Sequence, residues 1–220
     1  MENSEGVQQT NSNTIASAER QQKESHWRQV ADIAAGITDA LGKPIDTGII
    51  NTVVALNVYD IHTTQSCEGH LDSGIAAPWV EIKAPETEQS KALRKRINEL
   101  ADAIDEFERT ERPDEEVEPL YKKLHELERE ARRPQLEEIQ KTLHLLTQFY
   151  MNRQVVYERL LTVRGNRLES QGAQLQEIMS ADDRRLKLSE YQKEMREFTA
   201  FLEKKKEKHL TLQTLLLFHM

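Results

Sequence analysis

Between residues 62 and 72 the chain places His62, Ser66, Cys67, Glu68, His70 and Asp72, its densest run of side chains able to do chemistry. Cys67-x2-His70 has the spacing of half a zinc site, because a short turn brings one thiolate and one imidazole to the same ion. A closed structural site needs two further ligands, and the chain has no second cysteine. His62, upstream on the same segment, and Asp72 would complete a Cys/His/His/Asp set for metal. The same residues also read as a catalytic pair. Cys67 would be the nucleophile and His70 or His62 its base, with Ser66, Glu68 and Trp79 in the binding role. The carboxylate of Glu68 opposes that reading, since a neighbouring negative charge raises a thiol's pKa. A third reading is purely structural: Cys67 is a small buried hydrophobe at a strand end, Gly69 makes the turn, and Glu68 and His70 face solvent. Trp79 is then a core residue. No phosphate loop, dinucleotide glycine fingerprint, serine nucleophile elbow or HExxH occurs anywhere in the sequence.

The elements that must hold this segment can be read from periodicity. Residues 1–16 are rich in Glu, Gln, Asn, Ser and Thr and predict a disordered lead. From Ala18 to Leu41 apolar residues recur every three or four positions (Trp27, Val30, Ile33 or Ala34, Ile37, Leu41), and Gly42-Lys43-Pro44 ends that helix. Asp46 reads as the N-cap of a second helix with Ile49, Ile50, Val53, Val54 and Leu56 on its apolar face. Ile61 to Cys67 is β-branched and reads as a strand. Pro78 to Ile82 reads as its antiparallel return. Leu160 to Ser170, broken by Gly165-Asn166, reads either as a second hairpin with Gly first in a type II′ turn, the favoured reading, or as a helix, which Gly165 and Gly172 weaken. The hairpin register sets Arg164 against Arg167, Val163 against Leu168 and Leu161 against Ser170. Ser180-Ala181-Asp182-Asp183 caps a last helix whose apolar positions are Leu186, Leu188, Tyr191, Met195, Phe198 and Leu202. The apolar end, Leu210 to Met220, is expected to dock on the domain or on a neighbour.

Between the two pairs of strands lie three runs of a/d spacing: Leu93 to Phe107, Val117 to Ala131, and Leu136 to Tyr150. Pro113 separates the first two, which predicts an antiparallel helical hairpin. Pro134 starts or kinks the third. The expected fold class is therefore α+β: a small antiparallel sheet with packed helices, interrupted by a long coiled-coil-like insertion. The expected organisation is 1–16 lead, 17–84 first half of the domain, 85–157 helical insertion, and 158–220 second half with the C-terminal helix.

Charge and composition bound the partners. The chain has 38 acidic and 30 basic residues, a net charge of −8, and 5% aromatics. Such an acidic protein does not grip phosphates along its whole length. Only the C-terminal third, with Arg159, Arg164, Arg167 and the lysine run from Lys204 to Lys208, offers a basic patch for nucleic acid. That patch equally suits a solvated helix face. One cysteine points to a reducing, cytoplasmic setting. No apolar stretch reaches the roughly 18 residues of a membrane span, and no signal peptide opens the chain. The regular seams in 85–157 point to an interaction protein, binding itself or another protein through the helical arm.

Thr63-Thr64-Gln65-Ser66-Cys67-Glu68-Gly69, preceded by a helix, resembles the Thr-Thr-x-Ser-Cys-x-Gly strand and turn of the wybutosine-synthesising tRNA methyltransferase family. The resemblance runs from Ile49 to Ile82. It implies an α+β fold, S-adenosylmethionine as cofactor and tRNA as substrate, with the site near Cys67 and His70. The family has Arg after the glycine where this chain has His70, and the heptad insertion is foreign to it. Ser-Cys-Glu-Gly-His followed by Pro-Trp-Val is also similar to small bacterial and phage proteins. Zinc and S-adenosylmethionine are thus the two cofactors the segment suggests.

Overall fold

The computed structural model describes residues 24–72, 74–110 and 114–217, except for the side chains of 114–115 and 206–217. The lead expected at 1–16, the turn around Pro113 and the side chains of the apolar C-terminal end lie outside these residues. The first helix, α1, covers residues 24–35. It stops well before Gly42, because Asp39 organises the following turn: its carboxylate accepts the N–H groups of Leu41 and Lys43, each at 2.8 Å. Helix α2 is Ile50–Val58, followed by strands β1 (Thr63–Cys67) and β2 (Trp79–Ile82). Helices α3 (Glu88–Arg109) and α4 (Asp114–Tyr150) separate these from β3 (Leu161–Arg164) and β4 (Arg167–Ser170). A 3₁₀ segment, Gln171–Ile178, leads into α5 (Ala181–Leu217). No helix among the described residues is long and apolar enough to cross a membrane.

The strands form one antiparallel sheet in the order β1-β2-β4-β3, so the fold is α+β. The second hairpin has the expected register, with Leu161 opposite Ser170, Val163 opposite Leu168 and Arg164 opposite Arg167. Gly165 sits at φ +61, as the first position of a type II′ turn demands. β1 pairs Thr63 with Ile82 but Ser66 with Val80. The extra residue on β1 is a bulge that twists the strand just ahead of Cys67. The central pairing of β2 with β4 joins segments separated by the whole insertion.

Alternation along the strands sends Val80, Ile82, Leu161 and Leu168 to one face, where all are buried. That face packs on Ile49, Val53 and Leu56 of the α2 region, on Leu145, Leu146 and Phe149 of α4, and on Met195, Phe198 and Leu202 of α5. Fully burying each such side chain stabilises by about 1.5–3 kcal/mol, and this cluster is what closes the globule. Thr52 Oγ1 and Thr199 Oγ1, 2.8 Å apart, tie α2 to α5 inside it. The other sheet face carries Trp79, Glu81, Arg167 and Glu169 and is polar.

α3 and α4 pack against each other as an antiparallel hairpin, burying Leu93 and Ile104 on one helix and Val117 and Leu127 on the other. Thr87 and Ser90 form a reciprocal capping box at the start of α3. Pro134 neither starts nor ends a helix: α4 runs through it. Next to it, Gln135 joins the helix to the sheet domain. Its amide oxygen accepts the Ala84 N–H at 3.0 Å, and its amide nitrogen donates to the Ile82 carbonyl at 2.8 Å. The last turns of α4 therefore belong to the core, and only the part before Gln135 stands out as an arm.

Candidate metal centre

The loop after β1 closes tightly. Gly69 has φ +86, and a Cβ there would lie 2.7 Å from the Ala77 carbonyl carbon and 2.7 Å from Leu188 Cδ1, so only glycine fits. The Gly69 N–H points back to Cys67 Sγ at 3.3 Å, and the His70 N–H bonds the Ile75 carbonyl at 3.3 Å. This turn holds the thiol and the His70 imidazole on the same side, as the two-residue spacer anticipates.

The third member comes from elsewhere. Asp46 is not the N-cap of α2; Ile49 occupies that position and makes no side-chain cap. Its Oδ2 instead accepts the Glu68 N–H at 3.1 Å and lies 3.4 Å from His70 Nε2. One ligand atom each of Asp46, Cys67 and His70 falls within 4.8 Å of the others. Around a tetrahedral zinc with bonds of about 2.0–2.1 Å, nitrogen and oxygen ligands sit roughly 3.3 Å apart, so the Asp46–His70 pair already has that spacing. Asp46 and Cys67 are half-buried and His70 is exposed, which leaves one side open.

His62 and Asp72 do not join this group. The His62 N–H donates to Glu138 Oε2 at 2.9 Å, and its Nδ1 lies 3.4 Å from the same oxygen. Asp72 is exposed and outside the cluster. Burial works to raise the Glu138 pKa, yet hydrogen bonds from Lys141 and the His62 N–H outweigh it and leave the group below its ordinary value. His62 and Glu138 thus fasten α4 to β1. Glu68 is also structural: its Oε2 accepts the Gly48 N–H at 2.7 Å, and its carbonyl accepts Gln192 Nε2 at 3.0 Å. Ser66 is half-buried opposite Val80. Trp79 is half-buried on the polar sheet face, with the Arg167 guanidinium 4.2 Å above its ring. It is neither a core residue nor a free stacking surface.

The Cys67 thiol is pushed up, chiefly by burial, with the carboxylates of Asp46 and Glu68 adding to the effect. Only the Gly69 N–H pulls the other way. A raised pKa keeps sulfur protonated near neutrality, the opposite of what a nucleophilic cysteine needs. A divalent cation reverses the sign of those same carboxylates: what repels a bare thiolate attracts the ion that would bind it. Asp46 was legible in the sequence only as a cap candidate. The Pro44-Ile45-Asp46 turn carries no spacing signal that ties it to Cys67.

Two arginines of the basic C-terminal third are spent inside the chain, and the side chains of Lys206 and Lys208 lie outside the described residues. Arg159 Nη2 bonds the fully buried Glu194 at 2.9 Å, and Arg164 Nε bonds Glu169 at 2.9 Å.

Compared with known proteins, the chain matches no family model, no curated protein and no solved structure.

Proposed function

We propose that this protein binds a divalent cation of the zinc type through Asp46, Cys67 and His70, with the fourth position open to water or to a group on a partner. The convergence of three ligand atoms from two separate segments within 4.8 Å carries the reading. A carboxylate, a thiolate and an imidazole suit a borderline-soft ion, and three protein ligands with an open side describe an exchangeable or reactive site more than a closed structural one. Glu68 supports it from behind: its N–H fixes the Asp46 carboxylate, and its own carboxylate holds the Gly48 backbone. Because the thiol is protonated beforehand, loading the ion expels the Cys67 proton, and affinity rises with pH.

Cobalt substitution tests this directly. One equivalent of Co²⁺ is expected to give tetrahedral d–d bands with a sulfur charge-transfer band, titratable away by Zn²⁺. Cys67→Ser removes the charge-transfer band, and Asp46→Asn or His70→Ala weakens binding by about 10- to 100-fold while circular dichroism stays native. Binding that survives Cys67→Ser unchanged would overturn the assignment. A stabilising shift with S-adenosylmethionine, and none with zinc, would favour the methyltransferase reading instead.

Association with itself or with another protein through the insertion, residues 85–157, is a second reading. The seam is closed within the hairpin, so a partner would use the outer face of α4. There Leu136 and Leu143, seven residues apart on one side of the helix, are 53% and 42% exposed.

A further inference from the structure

The 3₁₀ segment Gln171–Ile178 and the first turn of α5 stand beside the polar face of the sheet. Together with Leu71, Gly74, Ile75 and Ala76 they border a groove of about 550 Å³. That volume falls in the range of small-molecule sites. Its polar lining is Arg164, Arg167, Arg184, Glu169, Gln176 and Glu177.

An accounting of these groups leaves donors without acceptors. Arg164 is neutralised by Glu169 and also reaches Gln171 Oε1 at 3.2 Å. Arg167 sits over Trp79, 4.2 Å from the ring centroid; Glu81, opposite it on β2, feels its charge, but no ion pair closes between them, the Glu81 oxygens being taken by Thr64 and Asn166. Arg184 is half-buried, its Nε is shut off from water with no acceptor, and no described carboxylate pairs with it. Gln176 is 8% exposed. A backbone N–H can only donate, so the bond from the Ala76 N–H, 2.5 Å long, fixes the Gln176 oxygen on that side. The amide nitrogen is thereby turned away from Ala76, buried and unpaired. A buried donor left without an acceptor is destabilising, whether amide or guanidinium N–H. Arg184 and Arg167 thus present guanidinium groups to one concavity with no described ion pair closing on either.

From this geometry we infer that the groove is a binding site for a small phosphorylated molecule. Its phosphate oxygens accept from Arg167 and from the Nη groups of Arg184, and hydroxyl or amino groups on its body donate to Glu169 and Glu177. The fork of a guanidinium matches a phosphate's paired oxygens, and Arg167 is pre-organised by its seat on the indole. The two glutamates set a limit on charge: they repel a bare polyanion and favour one phosphate on a donor-bearing scaffold. A nucleic-acid backbone fits less well, because the groove is short and the protein is acidic overall. The inference is independent of the metal centre.

Trp79 provides the readout. In a Trp27→Phe background and with EDTA present, so that no ion contributes, inorganic phosphate and glycerol 3-phosphate are titrated at constant ionic strength, with chloride and citrate as comparators. Saturable change in Trp79 emission is expected with phosphate and is expected to be stronger with glycerol 3-phosphate. Arg184→Gln and Arg167→Gln each weaken binding by about tenfold, the loss of one charge-assisted contact. Arg185→Gln, on the exposed side of the same turn, leaves it unchanged. Should Arg184→Gln melt early, Arg184→Lys keeps the charge without the fork and is expected to lose most of the same affinity. No saturable response to either phosphate, affinity in the Arg184 and Arg167 variants as high as in the native protein, or tighter binding of citrate would each overturn the assignment.

Discussion

Glu194 shows how much a single carboxylate can organise here. It is fully buried, and both oxygens are taken: Arg153 at 3.0 Å and Tyr150 Oη at 3.2 Å on one, Arg159 at 2.9 Å on the other. Tyr150 Oη in turn accepts the Leu161 N–H at 2.8 Å, so the end of α4, the start of β3 and the middle of α5 meet on one side chain. Removing one member of such a buried ionic group leaves uncompensated charge, which costs about 3–5 kcal/mol. Glu194→Ala is therefore expected to lower stability by roughly that amount in urea unfolding, and Glu194→Gln by distinctly less, because its oxygen still accepts from an arginine. Equal stability of Glu194→Ala and the native protein would show that Arg153, which also binds Glu197, does not depend on it. The sequence flagged Cys67 and His70 because their spacing is local and a two-residue spacer constrains geometry. It could not flag Glu194 or Asp46. Their partners lie far along the chain, and a glutamate at a helical a/d-adjacent position looks like any solvated one.

At the scale of elements, hydrophobic spacing and turn chemistry decided what could be read in advance. Gly165-Asn166 between apolar pairs favoured a hairpin over a helix without deciding it, and once the hairpin forms its register follows from turn length. The seam between α3 and the first half of α4 was equally visible, but the run from Leu136 to Tyr150 was not read correctly. Leu136 and Leu143 are exposed, and α4 buries Glu138, Thr142, Leu145, Leu146 and Phe149 because there it packs on the globule instead of on α3. Pro134 was harder. Proline removes one backbone donor and crowds the carbonyl four residues earlier, which ordinarily costs about 3 kcal/mol in a helix interior. Here the flanking helix is held on both sides, by the hairpin before it and by Gln135 and the buried Glu138 after it, so tertiary contacts carry α4 through. Gln135 replaces a strand neighbour for Ile82 and Ala84. Gln135→Ala is expected to cost about 1–3 kcal/mol, because it leaves two part-buried backbone groups without partners. Hydrogen exchange at the Ala84 amide provides the check. If that amide exchanges no faster in the variant, the latch does not operate in solution.

For the whole molecule, the question is where the arm ends and the globule begins. The sequence placed the insertion at 85–157, and an excision at those bounds would remove Leu145, Leu146 and Phe149 from the central cluster. Phe149 alone touches Phe198 and Phe201 with ring centroids 5.3 and 5.4 Å away, and truncating one such aromatic costs about 3–5 kcal/mol. Losing three core residues exceeds what a domain of this size can spare, since total stability is about 5–15 kcal/mol. Excision of 85–157 should therefore leave no cooperative melt. A cut inside the arm, removing 88–131, behaves differently. The Ala84 N–H and the Gln135 side chain already touch at 3.0 Å, so the two ends lie close enough for a short Gly/Ser tether, and a short loop closes at little entropic cost. The shorter deletion is expected to melt cooperatively and to retain both the Co²⁺ spectrum of the Asp46–Cys67–His70 centre and the phosphate response of Trp79. Sedimentation of the two proteins side by side then shows what the arm is for. A full chain that associates while the trimmed one stays monomeric assigns self-association to the hairpin, and identical behaviour of the two removes it from the arm. An unfolded trimmed protein would mean that the globule needs the hairpin's weight on Gln135, and that arm and sheet fold as one unit.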